Sequence, residues 1–375
     1  MAEGVRRPAW AEVDLGVLEA NAAALAALAA PAALCAVVKA DAYGHGAVPA
    51  AAAALRGGAR EVAVALVDEG VELREAGITA PVLVLSEPAD EAMEEACARE
   101  LTPSLYTERG VELAEAAAVA VGRGFPWPVE VKVDTGMHRV GIAPADAAAL
   151  ARRVAASASL DLQGLWTHFA VADEPGNHFT ELQLERFLEV AAACPPARLH
   201  AANSAGLAAW PASRLDLVRC GISIYGYAPS REVAPFLEAA GAAVRPALSW
   251  KARIALVRRV PRGDAVSYGL RRVLETDSNV ATVPLGYADG IPRAWFERGG
   301  EVLVGGRPRH LCGTVTMDQI MVDCGDDDVH PGDEVVLIGE QGASRLTADD
   351  WAERLGTISY EVVTRIGPRV PRLHL

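Results

Sequence analysis

A lysine ends the apolar run Ala36, Val37 and Val38 in "AVVKADAYGHG" and is followed closely by Tyr43 and His45. An ammonium at the end of a buried strand is costly unless something pairs with it or reacts with it. Two readings of Lys39 compete. A lone strand-end lysine usually snorkels to solvent, whereas a desolvated lysine of lowered pKa can form a Schiff base. Other polar groups recur after apolar runs: Lys132 and Arg139 in "VKVDTGMHR", His168 in "THFA", His200, Asn203 and Ser204 in "HAANSAG", and Arg219 ahead of "CGISIYG". Each has an ordinary explanation. A strand-end histidine is more often a satisfied structural residue than a catalyst, and spacing alone leaves Arg219 evenly divided between chemistry and a salt bridge to Asp216 or another acid. Together they describe a pocket. A lysine nucleophile, donors at Tyr43, Ser204, Gly221 and Ile222, and an arginine suit a phosphorylated aldehyde cofactor held through its phosphate. Backbone N–H groups near Gly221 would take phosphate oxygens as helix N-termini do.

Eight apolar runs of strand character must position these groups: Leu34 to Lys39, Val62 to Val67, Pro81 to Ser86, Leu101 to Tyr106, Val129 to Val133, Leu160 to Phe169, Ala197 to Ala202 and Leu215 to Arg219. Between them lie segments of helix formers with polar faces, such as Asp68 to Ala76, Glu87 to Arg99, Thr107 to Gly122 and Thr180 to Ala193. Such alternation implies a parallel sheet, and eight units suggest a closed (β/α)8 barrel, in which polar residues at strand ends gather at one face. From about Ala247 the texture changes to strands without long helices, as in "LSWKARIALVRRV" and "DEVVLIG". The expectation is an α/β chain with a barrel over 1–240, a mainly β domain over 241–375, and residues 1–11 packing on the β domain. The linker falls within Tyr227 to Pro246.

With 49 acidic and 35 basic residues the net charge is −14, which opposes attraction to nucleic acid or an anionic membrane. The six cysteines form no CxxC pair and fit a reducing compartment. No apolar run behind the N-terminus is long enough for a signal peptide. The run from Ala22 to Val38, broken by Pro31, reads as helix, turn and strand rather than a membrane span, so a cytoplasmic protein is expected. The glycines of "AYGHG" lack the ending of a phosphate loop. No HExxH supports zinc, "DCGDDD" lacks the spaced ligands of a calcium loop, and no metal is expected.

The motifs "AVVKADAYGHG", "VKVDTGMHRVG", "THFAVADE", "HAANSAG", "GISIYG", "VSYG", "LGYADGIPR" and "TMDQIMVD", in this order along the chain, resemble bacterial alanine racemase. The resemblance implies a barrel followed by a β domain, pyridoxal 5'-phosphate on Lys39, and a head-to-tail homodimer with shared active sites, supplying D-alanine for peptidoglycan. It assigns Lys39 the internal aldimine and one proton transfer at Cα, and Tyr268, from the partner subunit, the transfer on the opposite face. His168 would tune Tyr268, and Arg219 would face the pyridine nitrogen with His200 behind it. Tyr43, Ser204, Gly221, Ile222 and Tyr360 would bind phosphate, with Asn203 at the cofactor rim. Arg139 and the Met317 and Asp318 backbone would hold the substrate carboxylate. Lys132 corresponds to a lysine that carries a carbamate in some members, with a plain barrel salt bridge as the alternative. Asp173, Tyr287 and Arg293 would frame the entrance, narrowed by Tyr268 and Tyr360.

Where the family commonly reads "GR.CMD", this chain has "GTVTMDQ", with Thr314 and Thr316 in place of arginine and cysteine. This bears on the entrance corridor, substrate breadth and inhibitor sensitivity. Two further enzyme readings remain: a broader alanine and serine racemase, and a related decarboxylase. An arginine at the pyridine nitrogen disfavours the decarboxylase, since decarboxylation benefits from a full electron sink. A non-enzymatic cofactor carrier would need neither Tyr268 nor the C-terminal domain.

Overall fold

The computed structural model describes residues 7–195 and 197–375. Strand β1 (Ala9–Val13) leads into a helix over Leu15–Ala29. Eight short runs, each too brief to be helical and mostly buried, then become β2 (Ala33–Val37), β3 (Glu61–Val64), β4 (Val82–Val84), β5 (Thr102–Leu105), β6 (Trp127–Lys132), β7 (Leu160–Trp166), β8 (Arg198–His200) and β9 (Leu217–Cys220). Their hydrogen-bonded order is β8-β7-β6-β5-β4-β3-β2-β9. Every pairing is parallel, as in Cys35 opposite Arg219 and Lys132 opposite Trp166. The barrel nearly closes between β8 and β9, where Asp216 N donates to Leu199 O at 3.0 Å and Arg219 N to Ala202 O at 2.9 Å.

Helices cover the barrel because their sequences carry start and stop signals. The helix Glu108–Val121 begins at Thr107, whose hydroxyl accepts from Gly110 N, and ends at Gly122 in the left-handed region with φ 69°. The run from Leu160 leaves the sheet at Trp166, short of Phe169, and the chain beyond it becomes the loop that carries His168. No helix among the described residues is long and apolar enough to cross a membrane.

The chain divides into two compact units, one over Gly16–Ala42 and Gly46–Arg245, the other over 7–15, Tyr43–His45 and Pro246–Leu375. The second unit is mainly β. Its largest sheet centres on Leu248–Arg253, which pairs antiparallel with both Glu334–Gln341 and β1. On its other edge β1 pairs parallel with Arg372–His374. Residues 1–6 of the N-terminal segment expected to pack on this domain lie outside the described residues. A three-stranded sheet over Leu256–Val260, Ser278–Val283 and Ile320–Asp323 and a small hairpin complete the unit's strands near Tyr268. Trp295 and Trp351 stack in this unit's core with ring centroids 4.1 Å apart.

Candidate active site

Strand β2 ends one residue before Val38, and Lys39 opens a turn of unusual hand. Ala40, Asp41, Ala42 and Tyr43 have φ of 52°, 52°, 53° and 55°. Left-handed helical backbone costs an L-residue about 1–2 kcal/mol, and four in succession persist only where their surroundings hold them. The holding bonds are specific. Ala42 N donates to Val38 O at 2.8 Å, Gly46 N to Asp41 O at 3.0 Å, and Ala47 N to Asp41 Oδ1 at 2.8 Å. Glu69, in the helix after β3, accepts from Ala40 N at 2.6 Å and also from Ala65 N and Leu66 N. Lys39 is half-buried; desolvation and the nearby Arg139 lower its pKa, opposed by Glu69.

Arg219 lies inside the barrel on β9, next to the strand that precedes Lys39. Its guanidinium donates from Nη1 to His200 Nδ1 at 2.9 Å, and from Nη2 to Thr167 O at 2.7 Å and His168 Nδ1 at 3.3 Å. Asp216, the suggested salt-bridge partner, instead accepts from Leu199 N at 2.8 Å. Burial draws Arg219 down to about 10, which leaves it charged at neutral pH. His200 Nε2 lies 2.9 Å from Glu130 Oε2. Glu130 is itself held near 2 despite complete burial, by His200 and by Arg198, which it meets at 2.7 Å. Burial drops His200 to about 4, so the ring is neutral. Glu130 as carboxylate must accept, which puts the His200 proton on Nε2 and leaves Nδ1 to receive Arg219.

His168 is likewise depressed well below 6.5, first by burial and then by Arg219, Arg139, Lys132 and Lys39. With Nδ1 accepting from Arg219, its proton sits on Nε2. Lys132 ends β6 with its Nζ 4.2 Å over the Trp166 ring. Burial and the cations Arg219, Arg139 and Lys39 push it to about 7. Arg139 is exposed on the loop after β6, and Asp173 is exposed on the loop after β7.

Asn203 caps the short helix Ser204–Ala209 by accepting from Gly206 N at 2.9 Å, and Ser204 Oγ accepts from Gly221 N at 3.1 Å. Ser204, Gly221 and Ile222 are therefore gathered in one buried corner. Tyr43 and Tyr360 lie together in the other unit with ring centroids 6.0 Å apart.

The same mainly β unit carries the remaining residues on a connected set of loops. Tyr268 is 72% exposed on the hairpin Ala265–Val273. Tyr287 N donates to Thr316 O and Ala288 N to Met317 O, both at 3.0 Å, so the loop of Tyr287 is backbone-paired with that of Met317 and Asp318. The approach excludes a side chain at Gly286, whose Cβ would lie 2.3 Å from Met317 O. Asp289, fully buried, fixes this loop by accepting from Gly286 N and pairing with Arg7 and Arg369, and Arg369 also holds Asp318 at 2.7 Å. Arg293 and Met317 are exposed. Among the described residues, no three His, Cys, Asp or Glu side chains gather as metal ligands.

Glu130, Arg198 and Glu69 were not singled out from the sequence. Glu130 left a signal: in "PVEVKV" it shares a strand face with Lys132, two charges on a run buried on both sides. Gly164 supplies its space, since a Cβ there would meet Glu130 Oε1 at 2.5 Å.

Residues 13–229 match the model of the alanine racemase N-terminal domain and 247–374 that of the C-terminal domain. The chain is 45% identical to an alanine racemase of Symbiobacterium thermophilum over 98% of its own length and 97% of the relative's. It is 46% identical to that of Thermobifida fusca, over 98% of each. The crystal structure of alanine racemase from D-cycloserine-producing Streptomyces lavendulae superposes with a TM-score of 0.92 at 42% identity, covering 99% of this chain and 98% of that one.

Proposed function

Because the chain belongs to the alanine racemase family, we propose that it interconverts L- and D-alanine with pyridoxal 5'-phosphate held on Lys39, supplying D-alanine for peptidoglycan. The residues fit that cofactor. A half-buried amine of lowered pKa, a buried corner of Ser204 with the Gly221 and Ile222 backbone, and a guanidinium on the strand beside Lys39's correspond to its aldehyde, phosphate and ring nitrogen. Asn203 lies at the rim, and Tyr43 and Tyr360 add phenols for the phosphate. The observation that carries the reading is the Glu130–His200–Arg219 chain, which anchors a permanent cation inside the barrel beside the lysine's strand.

When bound, pyridoxal 5'-phosphate supplies an aldehyde carbon for an amine and a conjugated ring that withdraws electrons from the substrate Cα. Lys39 Nζ, its pKa lowered, takes or returns the Cα proton on one face, and the phenol of Tyr268 of the partner subunit does so on the other. Two opposed groups invert the centre without turning the substrate over. Neutral His168, with its proton on Nε2 and Arg219 fixed at Nδ1, stands in the barrel to tune that phenol. Arg219 cannot release its proton, so it would donate to the ring nitrogen without protonating it. Electron withdrawal is thereby limited, which favours return of the proton to Cα and disfavours a decarboxylase.

Arg139 and the Met317 and Asp318 backbone of the partner subunit would orient the substrate carboxylate. Lys132, near 7, has a neutral fraction able to take up carbon dioxide as a carbamate, whose negative charge would steady Arg139. Asp173, Tyr287 and Arg293 would line the approach, and a head-to-tail homodimer would complete each site. Incubation of the purified protein with L-alanine in deuterated water should give D-alanine carrying deuterium at Cα. Formation of ethylamine instead would establish the decarboxylase, and alanine recovered without deuterium at Cα would overturn the racemase reading.

A further inference from the structure

Tyr268 sits at the tip of a hairpin with only two paired rungs, Ala265 opposite Val273 and Val266 opposite Arg272. Its neighbours adopt backbone that side chains resist: φ is 66° at Ser267, 76° at Gly269 and 47° at Leu270. Two rungs are too few to hold such a tip by themselves, and strained turns persist only where surrounding structure over-determines them. The restraint comes from position 314. Thr314 Oγ1 donates to Tyr268 O at 2.9 Å, while Ser267 Oγ donates back to Thr314 O at 2.8 Å. The two segments touch so closely that a Cβ at Gly313 would lie 2.6 Å from Ser267 Cβ. Thr314 is 3% exposed although Tyr268 is 72% exposed, so the clasp is buried beneath a projecting phenol.

We propose that Thr314 is a positioning residue for racemisation: its hydroxyl and carbonyl lock the strained turn that aims the Tyr268 phenol. The inference rests on the reading of Tyr268 as one of the two proton-transfer groups. Thr316, two residues on, closes the neighbouring turn by donating from Oγ1 to Gln319 O at 2.9 Å and accepting from Gln319 N at 3.1 Å. One segment thus supports both the phenol and the backbone of Met317 and Asp318. Proton transfer depends steeply on placement, and an error near 1 Å costs roughly 100-fold in rate.

The test compares Thr314→Val, which keeps the shape and loses the hydroxyl, with Thr314→Ser, which keeps the hydroxyl, both as purified cofactor-loaded enzyme. Two readouts are taken: steady-state racemisation, and hydrogen exchange of the Leu270 amide, which donates to Ser267 O at 3.2 Å. In Thr314→Val, kcat should fall roughly 10- to 100-fold with KM within about twofold, and the amide should exchange faster. Thr314→Ser should restore both. Thr314→Val with wild-type exchange or wild-type kcat overturns the proposal, as does Thr314→Ser impaired as severely as Thr314→Val. A parallel Tyr268→Phe variant separates the two failures. If it keeps full activity while Thr314→Val exchanges faster, the assignment of Tyr268 as a base has failed; if it is inactive while Thr314→Val is normal, the clasp has.

Discussion

Arg219 can serve as a fixed cation only if the groups around it stay neutral or negative, and burial arranges this. A histidine free in water takes a proton near 6.5, whereas burial takes His200 to about 4 and His168 well below its usual range. Between about 6.5 and 4 the unfolded chain therefore binds protons that the folded chain refuses. Stability is complete above about 6.5 and is lost as the pH falls towards 4. Urea denaturation at pH 7.5 and pH 5 should show a loss of about 2 kcal/mol from His200 alone, and His200→Gln should remove that share while leaving the loss due to His168. Glu130 has the same sign at lower pH: its contribution is present above the ordinary carboxylate pKa and disappears as the pH falls towards about 2. Glu130→Gln keeps the shape but removes the charge that meets His200 and Arg198 in the space left by Gly164. Removing one partner of a buried pair costs about 3–5 kcal/mol. The expected result at pH 7.5 is a destabilised enzyme that also racemises more slowly, because an amide that gives its one oxygen to Arg198 turns its NH2 towards His200 and no longer fixes that ring's tautomer. An unchanged denaturation midpoint and rate would show the carboxylate to be a bystander.

Among the elements, the left-handed turn after β2 does the most unusual work, since it carries the chain from Lys39 to Tyr43 in four residues that all resist its hand. Ala40 is exposed, so Ala40→Gly removes strain without opening a cavity. Set against glycine's greater unfolded-state entropy, it should stabilise the protein by about 0.5–1 kcal/mol, read from the urea midpoint. Glu69→Ala should act oppositely. It deletes the acceptor of three backbone N–H groups, one of them immediately after Lys39, and should cost about 1–3 kcal/mol as well as activity. This turn was illegible in the sequence because "KADAY" has no glycine to announce positive φ. The barrel strands were legible for the opposite reason: runs such as Val62 to Val67 are apolar, short and separated by helix formers, and the strand Glu61–Val64 falls on the first half of that run, with Val67 opening the next helix. Lys39 and Ser204 lie just beyond β2 and β8, as the run pattern implies, while Arg219 lies one residue inside the end of β9. Glu130 was passed over because a charge inside a buried strand becomes meaningful only when Arg198 and His200 on β8 are placed beside it. Thr314 was noticed as a departure from a pattern. Its bond to Tyr268 O joins positions 46 residues apart and has no local signature.

At the scale of the whole molecule, the proposed reaction needs two groups on opposite faces of Cα, and the chain carries them in different units: Lys39 in the barrel and Tyr268 on an exposed hairpin of the β unit. A group so exposed is well placed to serve a partner. If each site takes its lysine from one chain and its tyrosine from the other, Lys39→Ala and Tyr268→Ala homodimers should each be nearly inactive, because every site lacks one base. Mixing the two is the informative step. In a heterodimer one site loses both groups, while the other takes Lys39 from the tyrosine variant and Tyr268 from the lysine variant and is intact. Random exchange makes half of the dimers mixed and restores half of the sites in those, so roughly a quarter of wild-type activity should return in a two-fold symmetric assembly. Affinity tags of two kinds, captured in sequence, would establish that heterodimers have formed. No recovery in the doubly captured fraction would mean that both bases come from one chain, and the exposed Tyr268 would then need another explanation.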